Sequence, residues 1–271
     1  MYPLNDKDFK YISSSVYDYS KINLSEKKRA LIVSRLSKRI RHLKLETFTE
    51  YTDYLKNDTS GKEFQTMVDS LSTNYSLFFR ESHHFDFLKN NILQEYNSGE
   101  LNIWSAASST GQEVYSVLMT IKEYEHEKNK KIRYRLYASD ISRPVLEKAS
   151  SGIYNSMDIK NIPRSLLEKF FLRGSGSQSD LVKIKKNLIR DVHFFRLNLN
   201  DKSYKLPQMD VIFMRNAIIY FDQPTKIELI DRLHQYIKPG GYLIIGHSES
   251  LSGISEKFEL IGKTIYKRKD V

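Results

Sequence analysis

The chain contains no cysteine. Disulfides, thiolate metal sites and cysteine nucleophiles are therefore excluded. No apolar run reaches membrane-spanning length, and no signal-like apolar stretch stands near the start. The expectation is a cytoplasmic protein without membrane insertion. Glycine and proline are sparse, 11 and 6 in 271 residues, and there is no internal repeat. The Gly-x-Gly-x-x-Gly phosphate fingerprint is missing, which argues against a pyrophosphate-bearing ligand. No metal-ligand spacing and no Ser-His-Asp arrangement is found, so no metal is expected. Acidic residues are outnumbered, 33 against 43 Lys and Arg, for a formal net charge of +10. Such a balance favours an acidic partner, whether nucleic acid, an anionic surface or an acidic protein, without choosing among them.

What is present is organised around Trp104–Ser116. Leu101, Ile103 and Ala106 read as the end of a buried strand. Ala107–Gly111 is a run of small residues, and Val114, Val117, Leu118 and Ile121 then repeat at helical spacing. A strand, a tight turn and a helix start aim backbone N–H groups and a positive helix end at whatever lies above the turn. With glycine only at Gly111, a phosphate-free nucleoside such as S-adenosylmethionine suits the turn better than a dinucleotide. An ordinary βα turn is the plain alternative.

Residues 1–70 read as helical throughout. Asn5 is placed to cap a helix carrying Phe9, Ile12, Val16 and Tyr19. A second helix is expected over 26–44, with Val33, Leu36, Ile40 and Leu43 on one side. Lys28, Arg35, Lys38, Arg39 and His42 would line the opposite, solvent side. Thr47 and Glu50 make a capping box. The segment 72–85 is polar and then densely aromatic, unlike an ordinary linker. Tyr134–Ser139 reads as a second strand ending at Asp140, an acid placed to accept both hydroxyls of a ribose or to cap the next helix. Runs at 170–173 and 181–185 flank Gly174–Asp180 and predict an inserted hairpin. Met209–Met214 is a buried strand whose polar continuation, Arg215 and Asn216, lies at an active-site position of an α/β sheet. Pro239-Gly240-Gly241 reads as a turn.

Several of these segments together resemble one family, the S-adenosylmethionine-dependent protein-glutamate methyltransferases of bacterial chemotaxis (CheR type). The matching residues are Asn74 with Phe78-Phe79-Arg80-Glu81, Trp104-Ser105-Ala106, Ser109-Thr110-Gly111 with Glu113, and Ala138-Ser139-Asp140-Ile141. They continue with Gly152-Ile153-Tyr154, Asn198-Leu199, Arg215-Asn216 with Ile219-Tyr220-Phe221, and Gly246-His247-Ser248-Glu249. Order and spacing agree across most of the chain. Ser76 stands where the family commonly has Thr, and Ser108, Gln112, Val114, Met214 and Ala217 are further departures.

The resemblance implies an α/β fold: a seven-stranded Rossmann-like methyltransferase domain, an N-terminal all-helical domain and a small inserted antiparallel β-subdomain. The boundaries expected are 1–71 for the helical domain, 72–90 for a linker entering the cofactor site, and 91–271 for the methyltransferase domain, with the insertion near 165–190. It implies that Asn74, Ser76, Arg80, Glu113, Asp140, Asn198, Leu199, Arg215 and Asn216 contact S-adenosylmethionine, whose product is S-adenosylhomocysteine. Arg80 and Tyr220 would lie at the methyl-transfer centre. The implied substrate is a glutamate on the cytoplasmic helical bundle of a chemoreceptor (a methyl-accepting chemotaxis protein), docked on Lys28, Arg35, Lys38 and Arg39. In part of the family the β-subdomain grips a receptor's C-terminal tail, and Gly174 and Gly176 shape the corresponding turn; a hairpin that merely caps the sheet is the alternative. A glutamate with a pKa near ~4.3 is already ionised at neutral pH, so methyl transfer to it needs placement and removal of water rather than a general base. His83, His84 and His247 then have no chemical task and are expected to be structural. A nucleic-acid methyltransferase would also explain the charge, but Arg215-Asn216-Ala217-Ile218 lacks the Asn/Asp-Pro-Pro-aromatic motif, so nucleic acid is not the expected partner. A non-catalytic receptor-docking adaptor is the other alternative.

Overall fold

The computed structural model describes residues 2–97 and 99–269. The chain divides into two compact units. One comprises the residues up to Thr73 together with Tyr220–Thr225, and the other Asn74–Ile219 together with the residues from Lys226 onward.

The first unit is helical. Helix α1 (Asp6–Ser20) starts at Asn5, whose Oδ1 accepts the Asp8 N–H at 2.8 Å. A short 3₁₀ turn, Glu26–Lys28, leads into α2 (Arg29–His42), followed by α3 (Phe48–Asn57) and α4 (Lys62–Leu71). The buried stripe of α2 is Ile32, Leu36 and Ile40, while Val33 and Leu43 are only half-buried. The stripe is therefore rotated from the expected one. The capping box is half formed. Thr47 accepts the Glu50 N–H at 3.1 Å, but Glu50 reaches back to the Glu46 N–H rather than to its own N-cap.

Two of the basic residues expected on the solvent side of α2, Arg35 and Arg39, turn inward. Arg35 donates to the carbonyls of Leu71 and Ser72 at 2.8 and 2.7 Å, satisfying the end of α4 where carbonyls have no helical partner. Arg39 grips Glu63 through both Nε and Nη2 at 2.6–2.9 Å. Glu63 is 4% exposed and also accepts the Tyr51 hydroxyl. A long guanidinium side chain can leave the outer face of a helix and wrap inward, and periodicity does not register this. Lys38, Arg41 and His42 do face solvent. Lys28 lies 5.3 Å over the Tyr220 ring and donates to the Asn23 carbonyl at 3.0 Å.

The second unit begins with Asn74. In the segment expected as a linker, Phe78 is buried, edge-on to Tyr154 and Phe171. Helices α5 (His83–Phe87) and α6 (Leu93–Glu95) are joined by a π-turn, Leu88–Ile92. Then come β1 (Leu101–Ser105), α7 (Gln112–Lys128), β2 (Tyr134–Asp140), α8 (Arg143–Ser151), β3 (Ile153–Asn155), α9 (Arg164–Phe170), β4 (Phe171–Arg173), β5 (Leu181–Ile184) and α10 (Lys186–Arg190). The chain closes with β6 (Val192–Arg196), β7 (Met209–Met214), α11 (Gln223–Tyr236), β8 (Ile237–Ile245), β9 (Phe258–Gly262) and β10 (Ile265–Arg268).

Among the described residues, seven strands form one sheet in the order β6-β2-β1-β7-β8-β10-β9. The pairings from β6 to β8 are parallel, and β10 is antiparallel to both its neighbours. Strand order reverses on either side of β1, so the carboxyl ends of β1 and β7 open the crevice where α/β sheets bind ligands. Helix α7 is buried on every side from Gln112 to Ile121, not only on the expected face. The Pro239–Gly241 turn is absorbed into β8 as an irregularity: Met209 pairs with Ile237 and Val211 with Tyr242.

A second, three-stranded antiparallel sheet has the order β3-β5-β4. The predicted hairpin is β4 with β5. Its third strand, β3, overlaps the Gly152-Ile153-Tyr154 motif, and three residues are too few to show a strand period. Gly174 is required at the tip, since a Cβ there would press on the Gln178 backbone.

Candidate active site

The turn after β1 is built by small residues for a packing reason. Gly111 has φ 91°, and a Cβ on it would lie 2.9 Å from Ala149 Cβ and 3.1 Å from the Tyr154 hydroxyl. Ser109, also in left-handed backbone, donates its N–H to Asp140 Oδ2 at 2.9 Å and its hydroxyl to the Asn74 carbonyl at 3.0 Å. Asp140 Oδ1 accepts the Ser142 N–H at 3.0 Å. Asp140 thus ties the β1 turn to the end of β2. It does not cap α8, whose N-cap position is Ser142. The buried hydroxyls of Ser108 and Ser142 have no hydrogen-bond partner among the described residues.

A second cluster stands at the start of α7 and the end of β7. Glu113 accepts the Ser105 hydroxyl at 2.7 Å and Arg215 Nη1 at 2.9 Å. The Arg215 side chain is 2% exposed. Its Nη2 donates to the Arg80 carbonyl and lies 3.2 Å from Glu81 Oε2, and its guanidinium sits over the Phe85 ring. Arg215 is therefore a buried brace between two carboxylates. Asn216, at φ 56°, donates its side-chain amide to Glu81 at 3.3 Å and its backbone N–H to Glu249 at 2.9 Å. Glu249 also accepts the N–H groups of Gly246 and Ile219 at 2.6 and 3.2 Å. Burial raises its carboxyl above the ordinary range against these donors. Burial likewise pushes Glu81 up, but Arg215, Asn216 and the His247 N–H together hold it below its ordinary range.

Arg80 is half-exposed. Its Nε lies 3.8 Å from Glu81, and its guanidinium is 5.9 Å from the centre of the Tyr75 ring. Ser76, next to Tyr75 in sequence, is half-buried. Asn198 accepts the Asn200 N–H on its side chain at 3.0 Å, and the Leu199 carbonyl takes Tyr204 and Arg232. Tyr220 groups with the helices: its carbonyl accepts the Asn23 N–H at 2.9 Å, and Asp222 accepts the Tyr17 hydroxyl at 2.5 Å. His84 is fully buried with Nε2 at 3.0 Å from Thr264 Oγ1, and burial, reinforced by Arg215 and His83, pushes it down to about 3. That is a structural histidine. The residues missed from sequence are Glu81 and Glu249. Both stood inside quoted motifs, but their partners lie up to 166 positions away.

The comparisons cover nearly the whole chain. Residues 74–267 match the family described as CheR methyltransferase, SAM binding domain, and residues 7–72 that described as CheR methyltransferase, all-alpha domain. The chemotaxis protein methyltransferase of Escherichia coli is 40% identical over 264 residues, covering 97% of this chain and 91% of that protein. That of Borreliella burgdorferi is 39% identical over 261 residues, covering 93% and 91%. The donor set fits S-adenosylmethionine. Carboxylates at Asp140 and Glu113 suit ribose hydroxyls and a cationic amino-acid tail, and unpartnered buried hydroxyls adjoin Asp140 in the same turn segments. The sheet, the crevice at β1 and β7 and these matches lead to one assignment: the chain belongs to the CheR methyltransferase family and binds S-adenosylmethionine.

Proposed function

We propose that this chain methylates glutamate side chains on the cytoplasmic helical bundle of a chemoreceptor, giving methyl esters in the cytoplasm during chemotactic adaptation. The relatives' names, chemotaxis protein methyltransferases, support the process. The observation that carries the carboxylate chemistry is Arg80. It is half-exposed, flanked by Glu81 and Tyr75, and it belongs to the same unit as the cradle around Asp140. A guanidinium so presented can orient a carboxylate through two parallel hydrogen bonds.

When bound, S-adenosylmethionine supplies an electrophilic methyl group. Asp140 accepts ribose hydroxyls, Asn74, Ser76, Glu113, Asn198, Leu199 and Asn216 line the cofactor, and Arg215 braces Glu113 from behind. Arg80 orients the acceptor glutamate, and Tyr220 is assigned to the transfer centre on the resemblance alone. Lys28 and Lys38 remain docking candidates for the acidic bundle. The three-stranded sheet, with Ile153 and Leu172 exposed on its two edge strands, is the candidate grip for a receptor's C-terminal tail.

The test is transfer from labelled S-adenosylmethionine to a receptor cytoplasmic fragment, with DNA and RNA in parallel. Base-labile label on the receptor, lost in Arg80→Ala, is expected. Base-stable label, or label on nucleic acid, overturns the reading. In the same system Asp140→Ala should weaken S-adenosylmethionine binding at least about tenfold, or ~1.4 kcal/mol, by calorimetry. Unchanged affinity in the folded variant removes Asp140 from the cofactor site.

A further inference from the structure

Glu81 sits where three segments converge, and neither the family match nor the sequence assigns it a task. Its Oε2 accepts the His247 N–H at 3.0 Å, from the turn after β8, and lies 3.2 Å from Arg215 Nη2. Its Oε1 accepts Asn216 Nδ2 at 3.3 Å, from the turn after β7, and lies 3.8 Å from Arg80 Nε. Phe79, Glu81 and Asn216 all have positive φ, at 51°, 57° and 56°. Left-handed backbone is unfavourable for residues with side chains and persists where the surroundings over-determine it. Gly246 is part of the same fit, because a Cβ there would lie 2.8 Å from the Asn216 backbone nitrogen.

Charge adds a second argument. Arg80 and Arg215 place two guanidinium groups beside a site that must also take a cationic sulfonium. Glu113 faces one end of Arg215, and Glu81 is the carboxylate between the two arginines. A neutral side chain of the same shape would keep some hydrogen bonds but leave Arg80 without a charged neighbour on this side.

We infer that Glu81 is a positioning residue for methyl transfer: its carboxylate sets the direction of the Arg80 guanidinium and seats Asn216, so that the acceptor carboxylate meets Arg80 in a fixed geometry. The inference rests on the reading of carboxylate methylation above. Receptor affinity depends on docking surfaces elsewhere, whereas the local placement of Arg80 governs turnover. Loss of Glu81 should therefore appear in kcat and not in the receptor KM.

The experiment compares wild type, Glu81→Gln and Glu81→Asp in the full chain on a receptor cytoplasmic fragment, with thermal melts alongside. Misplacement of a reacting group by about 1 Å can cost ~100-fold, so Glu81→Gln should lose at least about tenfold in kcat. Its receptor KM should stay within about twofold and its melting temperature close to wild type. Glu81→Asp keeps the charge on a shorter arm and should fall between the two. Wild-type kcat in folded Glu81→Gln, or a loss matched by a lower melting temperature alone, overturns the inference. If Glu81→Gln does not fold, Glu81→Asp decides: reduced kcat with an intact fold supports positioning, and wild-type kcat overturns it. No ester from the wild type overturns the carboxylate reading and this inference with it. Ester formed equally by wild type and Glu81→Gln overturns only this one.

Discussion

Replacing Arg215 by Met should destabilise the sheet unit by about 3–5 kcal/mol and abolish methyl transfer. The reason is what the guanidinium leaves behind. Arg215 is enclosed by Glu113 on one side and Glu81 on the other, with Phe85 against its face. Removing it leaves two largely buried carboxylates without their shared cation, and breaking a buried pair costs more than the pair itself contributes. Trp104 is the chain's sole tryptophan and is fully buried in β1, so urea unfolding followed by its fluorescence reports this unit. A double variant, Arg215→Met with Glu113→Gln, should lose less than the sum of the two single changes, because the second removes one of the stranded charges. A loss below about 1 kcal/mol, the typical effect of any substitution, would show that Arg215 is not a brace. The same change tests the site: with Glu113 and Glu81 released, the Arg80 backbone loses its anchor on Arg215 as well.

How much of this was legible beforehand depends on the range of the interaction. β7 carries a continuous apolar run and was placed at its observed bounds, and β2 was placed to within one residue. The turn at Ala107–Gly111 was legible from residue size, and the structure supplies the cause, the close approach of Ala149 and Tyr154 to Gly111. Asp140 was placed correctly at the end of β2, but its hold on the Ser109 N–H spans 31 positions and leaves no local pattern. The same limit hid Glu81, which meets Arg215, Asn216 and His247 only in the folded chain. β3 was missed as a strand because a three-residue element has no period to read. The helical face of α2 failed for a different reason. Spacing assigns a residue to a side of the cylinder, but Arg35 and Arg39 are long enough to return to the protein from the outer side.

That difference decides the outcome of a double charge reversal on α2. If Arg35 and Arg39 were surface docking groups, Arg35→Glu with Arg39→Glu would leave the fold intact and only raise the receptor KM, with an effect screened over about 8 Å at physiological salt. The structure leads to the opposite expectation, unfolding of the helical unit. Arg39→Glu sets a second carboxylate against Glu63, which is buried and already holds the Tyr51 hydroxyl; stranding that charge should cost about 3–5 kcal/mol. Arg35→Glu removes the donor to the last carbonyls of α4 and puts a negative charge at a helix C-terminus, where the dipole is unfavourable to it. Far-UV circular dichroism should show helix lost at urea concentrations where the wild type keeps it. The control is Lys38→Glu with Arg41→Glu, on residues of the same helix that face solvent. That pair should melt like the wild type and, if α2 meets an acidic receptor, raise the receptor KM in a salt-dependent way. A double variant at Arg35 and Arg39 that melts like the wild type would return both arginines to the surface.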